Sequence, residues 1–392
     1  VISIAEARAL LQAHAPALPA EFVALDRCHG ALLAADAYAA DDYPRMDASA
    51  VDGYAIAGGE GPWRVVASLP AGSAAAINLA PGTCARIFTG AQVPAGTYAV
   101  AMQEHALTTD GSVRLDGRTL RAGANIRRRG EGFRKGELLL AKGAYLGPAA
   151  VGLLASAGVH EVLIAKDPVL SIIRTGDEFV EPGIDPSGRI HSSNDHMLRA
   201  AANLAGIITA DAALTAGDEP EDLKAALLAA ASQGDAVIST GGVSVGDHDL
   251  MHRALSELGA RIHFHGVNQK PGKPMLFATL DGIPVLALPG NPRAVLVAWH
   301  LYALPLIRMM QGAAQPWPPS ESLPLASPCA IRTDRAELRA ARVQHGRVHL
   351  LPEEGSHLLG TMALANAIAC FPAAAREFKA GESVEVHYLP PQ

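Results

Sequence analysis

The chain has 392 residues, 49% hydrophobic and 18% charged, with 38 glycines and 27 prolines scattered without a period. That composition excludes a disordered or collagen-like protein and allows about two to four globular domains. A net charge of −7 argues against nucleic acid as the main partner, yet leaves room for a small anion in a locally basic pocket.

The cysteines Cys28, Cys84, Cys329 and Cys370 form no CxxC pair, which speaks against a structural zinc site or disulfide frame and fits a reducing cytoplasm. No membrane span is expected, because the most apolar stretch, "LGPAAVGLLASAGVHEVLIA", carries His160 and Glu161 near its middle and reads as a helix followed by a strand. The chain opens at Val1 without a secretory leader pattern, and the expectation is a cytoplasmic protein whose initiator segment is missing here.

In chain order, "SIAEARALLQAHA" predicts a helix, with Ile4, Ala7, Leu10 and Leu11 at helical spacing and Ser3 with Glu6 as a capping box. Residues 43–136 change texture. The β-prone pieces "WRVVAS", "CARIFTG", "YAVAMQEH" and "SVRLDG" are cut by Gly and Pro, which predicts a small all-β unit. Residues 137–167 return to a strand, "ELLLAKG", and an apolar helix, "GPAAVGLLASAG". Packed back on residues 1–42, they make the β unit an insertion.

From residue 168 to 314, the apolar strands "PVLSIIRTG", "GIITADAAL", "DAVISTGG", "RIHFHGV" and "PVLALPGNP" alternate with helical stretches. That alternation predicts parallel βαβ units in a doubly wound α/β sheet. "PRAVLVAWHLYALPLIRMMQG" reads as its closing helix, "AQPWPPSESLPLASP" as a linker, and the remainder as a β-rich module with strands "AELRAARV", "RVHLLP" and "ESVEVHYLP".

Ligands of open parallel sheets sit beyond the carboxyl ends of the strands. Three such loops are "RTGDE" (Arg174–Glu178), "TGGVSVGDHD" (Thr240–Asp249) and "LPGNPRA" (Leu288–Ala294), with "KPGKP" (Lys270–Pro274) alongside. Gly241, Gly242 and Gly246, with Ser244 among them, let backbone N–H groups approach a phosphate. Glu178, Asp247 and Asp249 offer hard oxygens for a magnesium ion, and Lys270 and Lys273 suit a second anion. The alternative is plain turn chemistry: none of the loops is a Walker A or GxGxxG fingerprint, and an Asp at a helix start is commonly a cap. Asp52 in "VDGYA" is a site acid or a turn residue, and Arg127 in the basic run "NIRRRGEG" lies in an anion contact or on a solvated face. His248 and His252, or His263 and His265, lack the HExxH context of a zinc hydrolase.

Taken in order, "VDGYA", "FTGAQVPAG", "NIRRRGEG", "RTGDE", "TGGVSVGDHD", "KPGKP", "LPGNP" and the C-terminal "GSHLLGTMALANAI" resemble the molybdopterin molybdenumtransferase family, the bacterial MoeA type and the matching part of gephyrin. The resemblance implies four parts: a discontinuous N-terminal domain (1–42 with 137–167), an inserted β domain (43–136), a doubly wound MogA-like domain (168–314) and a C-terminal β-barrel (320–392). It implies a homodimer that takes adenylylated molybdopterin and molybdate, uses Mg2+, releases AMP, and receives its substrate from a molybdopterin adenylyltransferase. Asp52, Thr89, Glu178 and Asp249 would line the cleft, joined by Asp218 or Glu219. Lys270 and Lys273 would bind molybdate, with Arg335, Ser356 and Thr361 from the last domain.

The chain departs from the family at Gly132 and Tyr98, where acids are usual, at Ala48, where Asn is usual, and at Ser192, where the family has Asp. These departures raise two other readings, a non-catalytic molybdopterin-binding scaffold and a magnesium-dependent nucleotidyl-processing enzyme with another substrate.

Overall fold

The computed structural model describes residues 1–392 except 73–75, 211–212, 218, 244–248, 353–354, 356 and 391–392. Ser244, Gly246, Asp247, Asp218 and Ser356 therefore lie outside the described residues.

The first helix spans Ile4–His14 and starts with the expected capping box, in which Ser3 and Glu6 exchange bonds of 2.7 and 3.2 Å. Ala7 and Leu11, one turn apart on one face, are fully buried. They enter the same apolar cluster as Ile172, Ile238 and Trp299, so this helix packs on the doubly wound unit. The chain then forms the strand Ala20–Ala24, antiparallel to Glu161–Ala165, and Ala37–Tyr38 pairs with Leu138–Leu140. Cys28, Leu33, Leu146, Leu154 and Ile164 make the small core between them. Residues on both sides of the β unit thus share one core.

The inserted unit is a six-stranded sheet ordered Thr97–Met102, Gly53–Ala57, Thr83–Ile87, Trp63–Leu69, Ser112–Leu115, Ala106–Thr109. Every neighbouring pair is antiparallel except Trp63–Leu69 with Thr83–Ile87.

The doubly wound sheet runs Ile208–Thr209, Val169–Thr175, Ala236–Thr240, Ile283–Leu288, Leu276–Leu280, Arg261–His265, with Leu214–Ala216 also beside Val169–Thr175. Alternate residues face opposite layers: Ile172, Ile238 and Leu286 enter one core, and Ile173, Val237 and Val285 the other. The first strand has its successors on both sides, so the strand order reverses there. The crevice between Val169–Thr175 and Ala236–Thr240 is the position where such sheets take ligands.

Two details differ from the sequence reading. Arg261–His265 and Leu276–Leu280 do not continue the parallel order; each is antiparallel to its neighbour. Asp281 and Gly282 both have positive φ, 48° and 85°, and a two-residue turn of that kind joins adjacent antiparallel strands. The closing helix is also not uniform, but runs Pro292–Ala298, a π turn Trp299–Ala303, then Leu304–Met310. Pro305 has no N–H to return to the preceding turn, and a widened turn before it accommodates the loss.

In the C-terminal module, Ala336–Gln344 pairs with Arg347–Leu350 and Ala367–Phe371, then Ser383–Tyr388 and Ser320–Pro324 follow. A bridge from Leu325 to Val348 and the bond from Ala326 N to Val348 O, 2.9 Å, close the sheet on itself. Phe371, Phe378, Val348 and Val386 fill the barrel. No helix among the described residues is long and apolar enough to cross a membrane.

Candidate active site

Strand register carries the expected loops to one edge. Arg174 is opposite Thr240, and Thr240 is opposite Leu288, all in parallel strands. Ala287 faces Leu276, which faces His265 across two antiparallel pairs. The segments that begin at Gly176, Gly241, Gly266 and Pro289 therefore leave the sheet together at its carboxyl edge. Thr175 faces Ala216, so the turn at Gly217 joins them.

The centre of the edge is backbone-built. Gly241 donates to Leu288 O at 3.0 Å, and Thr175 Oγ1 donates to Thr240 O at 3.0 Å. Gly241 and Gly242 have φ of +86° and +70°, and a Cβ on Gly241 would sit 2.5 Å from Thr175 Oγ1. Glycine is needed there both for the dihedral and for the space. Asn194, nearly fully buried at the start of the helix Asn194–Leu204, donates from Nδ2 to Gly290 O at 2.8 Å. Its Oδ1 has no hydrogen-bond partner among the described residues. A buried amide oxygen without a partner carries a desolvation cost that a bound donor would relieve. Asn194 carries no local motif that marks it in the sequence; it stands two residues beyond the altered Ser192.

The acids gather at the same edge. Glu178 is exposed, and its carboxylate folds over Gly176, so close that a Cβ there would lie 2.1 Å from Oε2. Asp177 and Asp222 approach Gly217 within 3.1 and 3.0 Å of its would-be Cβ, and neither was nominated from the sequence. Asp222 sits in the first turn of the helix Pro220–Gln233, placed by a fold no local pattern announces. Glu219, weighed with Asp218 as a further acid, is the N-cap residue of that helix.

Asp249 is both a cap and an ion-pair partner. Its Oδ1 accepts from His252 N at 2.9 Å, capping the helix Leu250–Glu257, and its Oδ2 lies 2.8 Å from His265 Nε2. Among the described residues, the acid and histidine group within reach of a single ion is Glu181, Asp195 and His196, which includes none of the expected ligands. Arg174 lies inside that group, 2.7 Å from Glu181 and 3.6 Å from Asp195, and its guanidinium holds the Glu181 carboxyl below the usual carboxylate range. A guanidinium already occupies the group and offsets one of its two carboxylate charges.

Lys270 lies in the short strand Gln269–Lys270, which adds in parallel to Ala336–Gln344 of the barrel, Lys270 opposite Glu337. Lys273 is half-buried in the same segment, its carbonyl accepting from Val267 N and Met275 N at 2.9 Å each. Arg335, half-buried, immediately precedes the paired barrel strand, and its N–H donates to Thr333 Oγ1 at 3.3 Å. Thr361, nearly fully buried on the short helix Gly360–Leu364, sits beside Met362, which packs in the main core.

In the inserted unit, Asp52 and Thr89 do meet. Asp52 Oδ1 accepts from Thr89 N at 2.8 Å and from Thr89 Oγ1 at 2.9 Å. The backbone bond first, then the hydroxyl, holds this carboxyl below the usual range. The basic run is largely neutralised locally. Arg128 pairs with Asp47 at 2.6 Å and Arg129 with Asp42, while Arg127 is exposed in a two-residue strand beside Ala48–Ser49. At Gly132 a Cβ would come within 3.1 Å of Tyr43, so a larger residue there requires Tyr43 to shift. Tyr98, the other replaced acid, is exposed.

The chain matches three family descriptions in succession: MoeA N-terminal region (domain I and II) over 2–158, probable molybdopterin binding domain over 171–309, and MoeA C-terminal region (domain IV) over 322–389. It is 34% identical to a molybdopterin molybdenumtransferase of Nostoc sp., covering 94% of this chain and 89% of the relative. It is 32% identical to one of Haemophilus influenzae, covering 93% of each. A crystal structure of a molybdopterin biosynthesis moeA protein from Pyrococcus horikoshii OT3 superposes with a TM-score of 0.85 at 26% identity, covering 99% of this chain and 100% of the other.

Proposed function

The chain belongs to the MoeA family of molybdopterin molybdenumtransferases, transferases of molybdenum cofactor biosynthesis, and from that premise we propose that it inserts molybdate into adenylylated molybdopterin and releases AMP. One observation carries the reading to this chain's own residues: register brings Gly241, Glu178 and the Lys270–Lys273 segment to a single sheet edge, where Asp249 lies 2.8 Å from His265. The reaction joins a phosphoanhydride to a doubly charged oxyanion, so mutual repulsion must be offset in place. The Gly241–Gly242 turn lets backbone come close to a phosphate without a side chain in the way, while the Gly241 N–H itself is held by Leu288 O. Lys270 and Lys273 supply fixed positive charge for the oxyanion.

The donor set at the edge consists of carboxylate oxygens, which fits magnesium. Glu178 would hold it together with phosphate oxygens of the substrate, since the described edge carboxylates do not close on one point by themselves, and Asp249, which caps its helix with Oδ1 and lies beside His265 with Oδ2, would supply negative charge there. When bound, the ion would neutralise phosphate charge. Asp52, kept ionised by Thr89, is the inserted unit's contribution.

A homodimer belongs to the same reading. Leu204, Tyr145 and Tyr388 are exposed around an apolar groove of about 940 Å3, surface of a kind that subunit contact covers. The adenylylated pterin would come from an adenylyltransferase, and the site of action would be the cytoplasm.

The test is a coupled assay of AMP and cofactor formation from adenylylated molybdopterin, with molybdate, tungstate or neither. AMP release that depends on molybdate and magnesium is the expected result. Tight binding with the nucleotide intact would replace this reading with a scaffold; cleavage indifferent to the oxyanion would replace it with a nucleotidyl-processing enzyme.

A further inference from the structure

The C-terminal barrel contributes a residue that the motifs do not mark. Glu337 is 2% exposed and stands directly across the parallel ladder from Lys270. Its carboxylate accepts from Arg339 Nε at 2.8 Å, has Arg339 Nη2 at 2.6 Å, and lies 3.9 Å from Lys270 Nζ. Both cations therefore meet one buried carboxylate; Arg339 is largely buried, whereas the Lys270 side chain remains 43% exposed. Thr333 Oγ1 lies 3.5 Å from Glu337 Oε1 and also accepts from Arg335 N, which ties the turn bearing Arg335 to the same carboxylate. The bonds from Ala336 N to Asn268 O, 3.1 Å, and from Asn268 Nδ2 to Asp334 O, 3.3 Å, hold the two backbones together.

We propose that Glu337 is a positioning residue for the oxyanion step: it holds Lys270 toward the carboxyl edge and makes the barrel part of the molybdate site. A flexible lysine stem loses rotamer freedom whenever it grips an anion. A buried carboxylate that restricts it beforehand lowers that loss, so the ammonium meets the oxyanion already oriented. Arg339, bound to the same carboxylate through Nε and Nη2, holds Glu337 itself in place. The inference rests on the functional reading above and names the residue that tunes its affinity for the oxyanion.

The experiment titrates molybdate against AMP release for the wild type, Glu337→Gln, Lys270→Gln and the double variant, and measures adenylylated molybdopterin binding separately. Molybdate-dependent release by the wild type is the control for the functional reading; its absence would sink that reading and leave nothing for Glu337 to position. With the control met, Glu337→Gln should raise the molybdate concentration for half-maximal rate about tenfold, with kcat at saturation changed less than about twofold and pterin affinity intact. On the Lys270→Gln background the second change should add less than about twofold, since the two act as one unit. Glu337→Asp keeps the charge but draws it back from Lys270, and should give the same split at smaller size, which covers the case where the Gln variant fails to fold. An unchanged molybdate requirement in a folded variant would overturn the proposal, as would equal losses in molybdate and pterin affinity.

Discussion

The basic run of the inserted unit and the carboxyl edge of the doubly wound sheet both collect charge, but by different routes. In the run, Arg128 and Arg129 find Asp47 and Asp42 in the preceding segment, and the N–H groups of Arg129 and Lys135 also bind those acids. Backbone bonds are the largest cause holding Asp42 and Asp47 below the usual carboxylate range. That charge is spent on holding the chain. At the edge, the carboxylates of Asp177, Glu178 and Asp222 crowd around glycines, and Lys270 meets Glu337 across a domain boundary. Topology accounts for the difference. Antiparallel neighbours place successive turns at opposite ends of a sheet, whereas parallel strands send every following loop to one end.

The largest expected effect separates charge from capping at Asp249. Asn caps a helix about as well as Asp, so Asp249→Asn should keep the unfolding midpoint while lowering turnover about a hundredfold or more, as loss of an active-site charge does. Urea unfolding beside the AMP assay checks both, and normal turnover would make Asp249 a cap alone. Next comes Gly241→Ala, where positive φ and the Thr175 contact should cost about 3 kcal/mol by denaturant unfolding and abolish pterin binding. Full binding in that variant would show that the cradle tolerates what the comparison says it cannot.

A third test reaches the scaffold behind the edge. Burial pushes the His300 imidazole down from 6.5 to about 4. The folded protein then binds fewer protons than the unfolded chain between those values, so stability falls as pH drops through 6.5 toward 4. The loss should reach about 2 kcal/mol near pH 5 and shrink in His300→Gln, read from unfolding at several pH values. A flat profile would place His300 in water. The smallest effect is expected for Arg128→Ala with Arg129→Ala, less than about twofold in molybdate requirement, because exposed ion pairs contribute little. A large rise would move the basic run into the site and erase the contrast drawn between the two regions.

Local chemistry was readable where neighbours in sequence settle it. Ser3 and Glu6 announce the capping box, the alternation of apolar pieces with amphipathic stretches announces the doubly wound sheet, and the glycines of "TGGVSVGDHD" announce a turn that a Cβ would obstruct. The π turn before Pro305 and the hairpin at Asp281–Gly282 had signals too, but weak ones set against a strong apolar pattern. Three things were decided only in space: Asp177 and Asp222 flanking Gly217, Asn194 on Gly290, and Glu337 behind Lys270. The reason is range. Periodicity and turn preference act over a few residues, whereas these partners lie as far as 96 positions apart and meet because strand register and the barrel ladder hold them there.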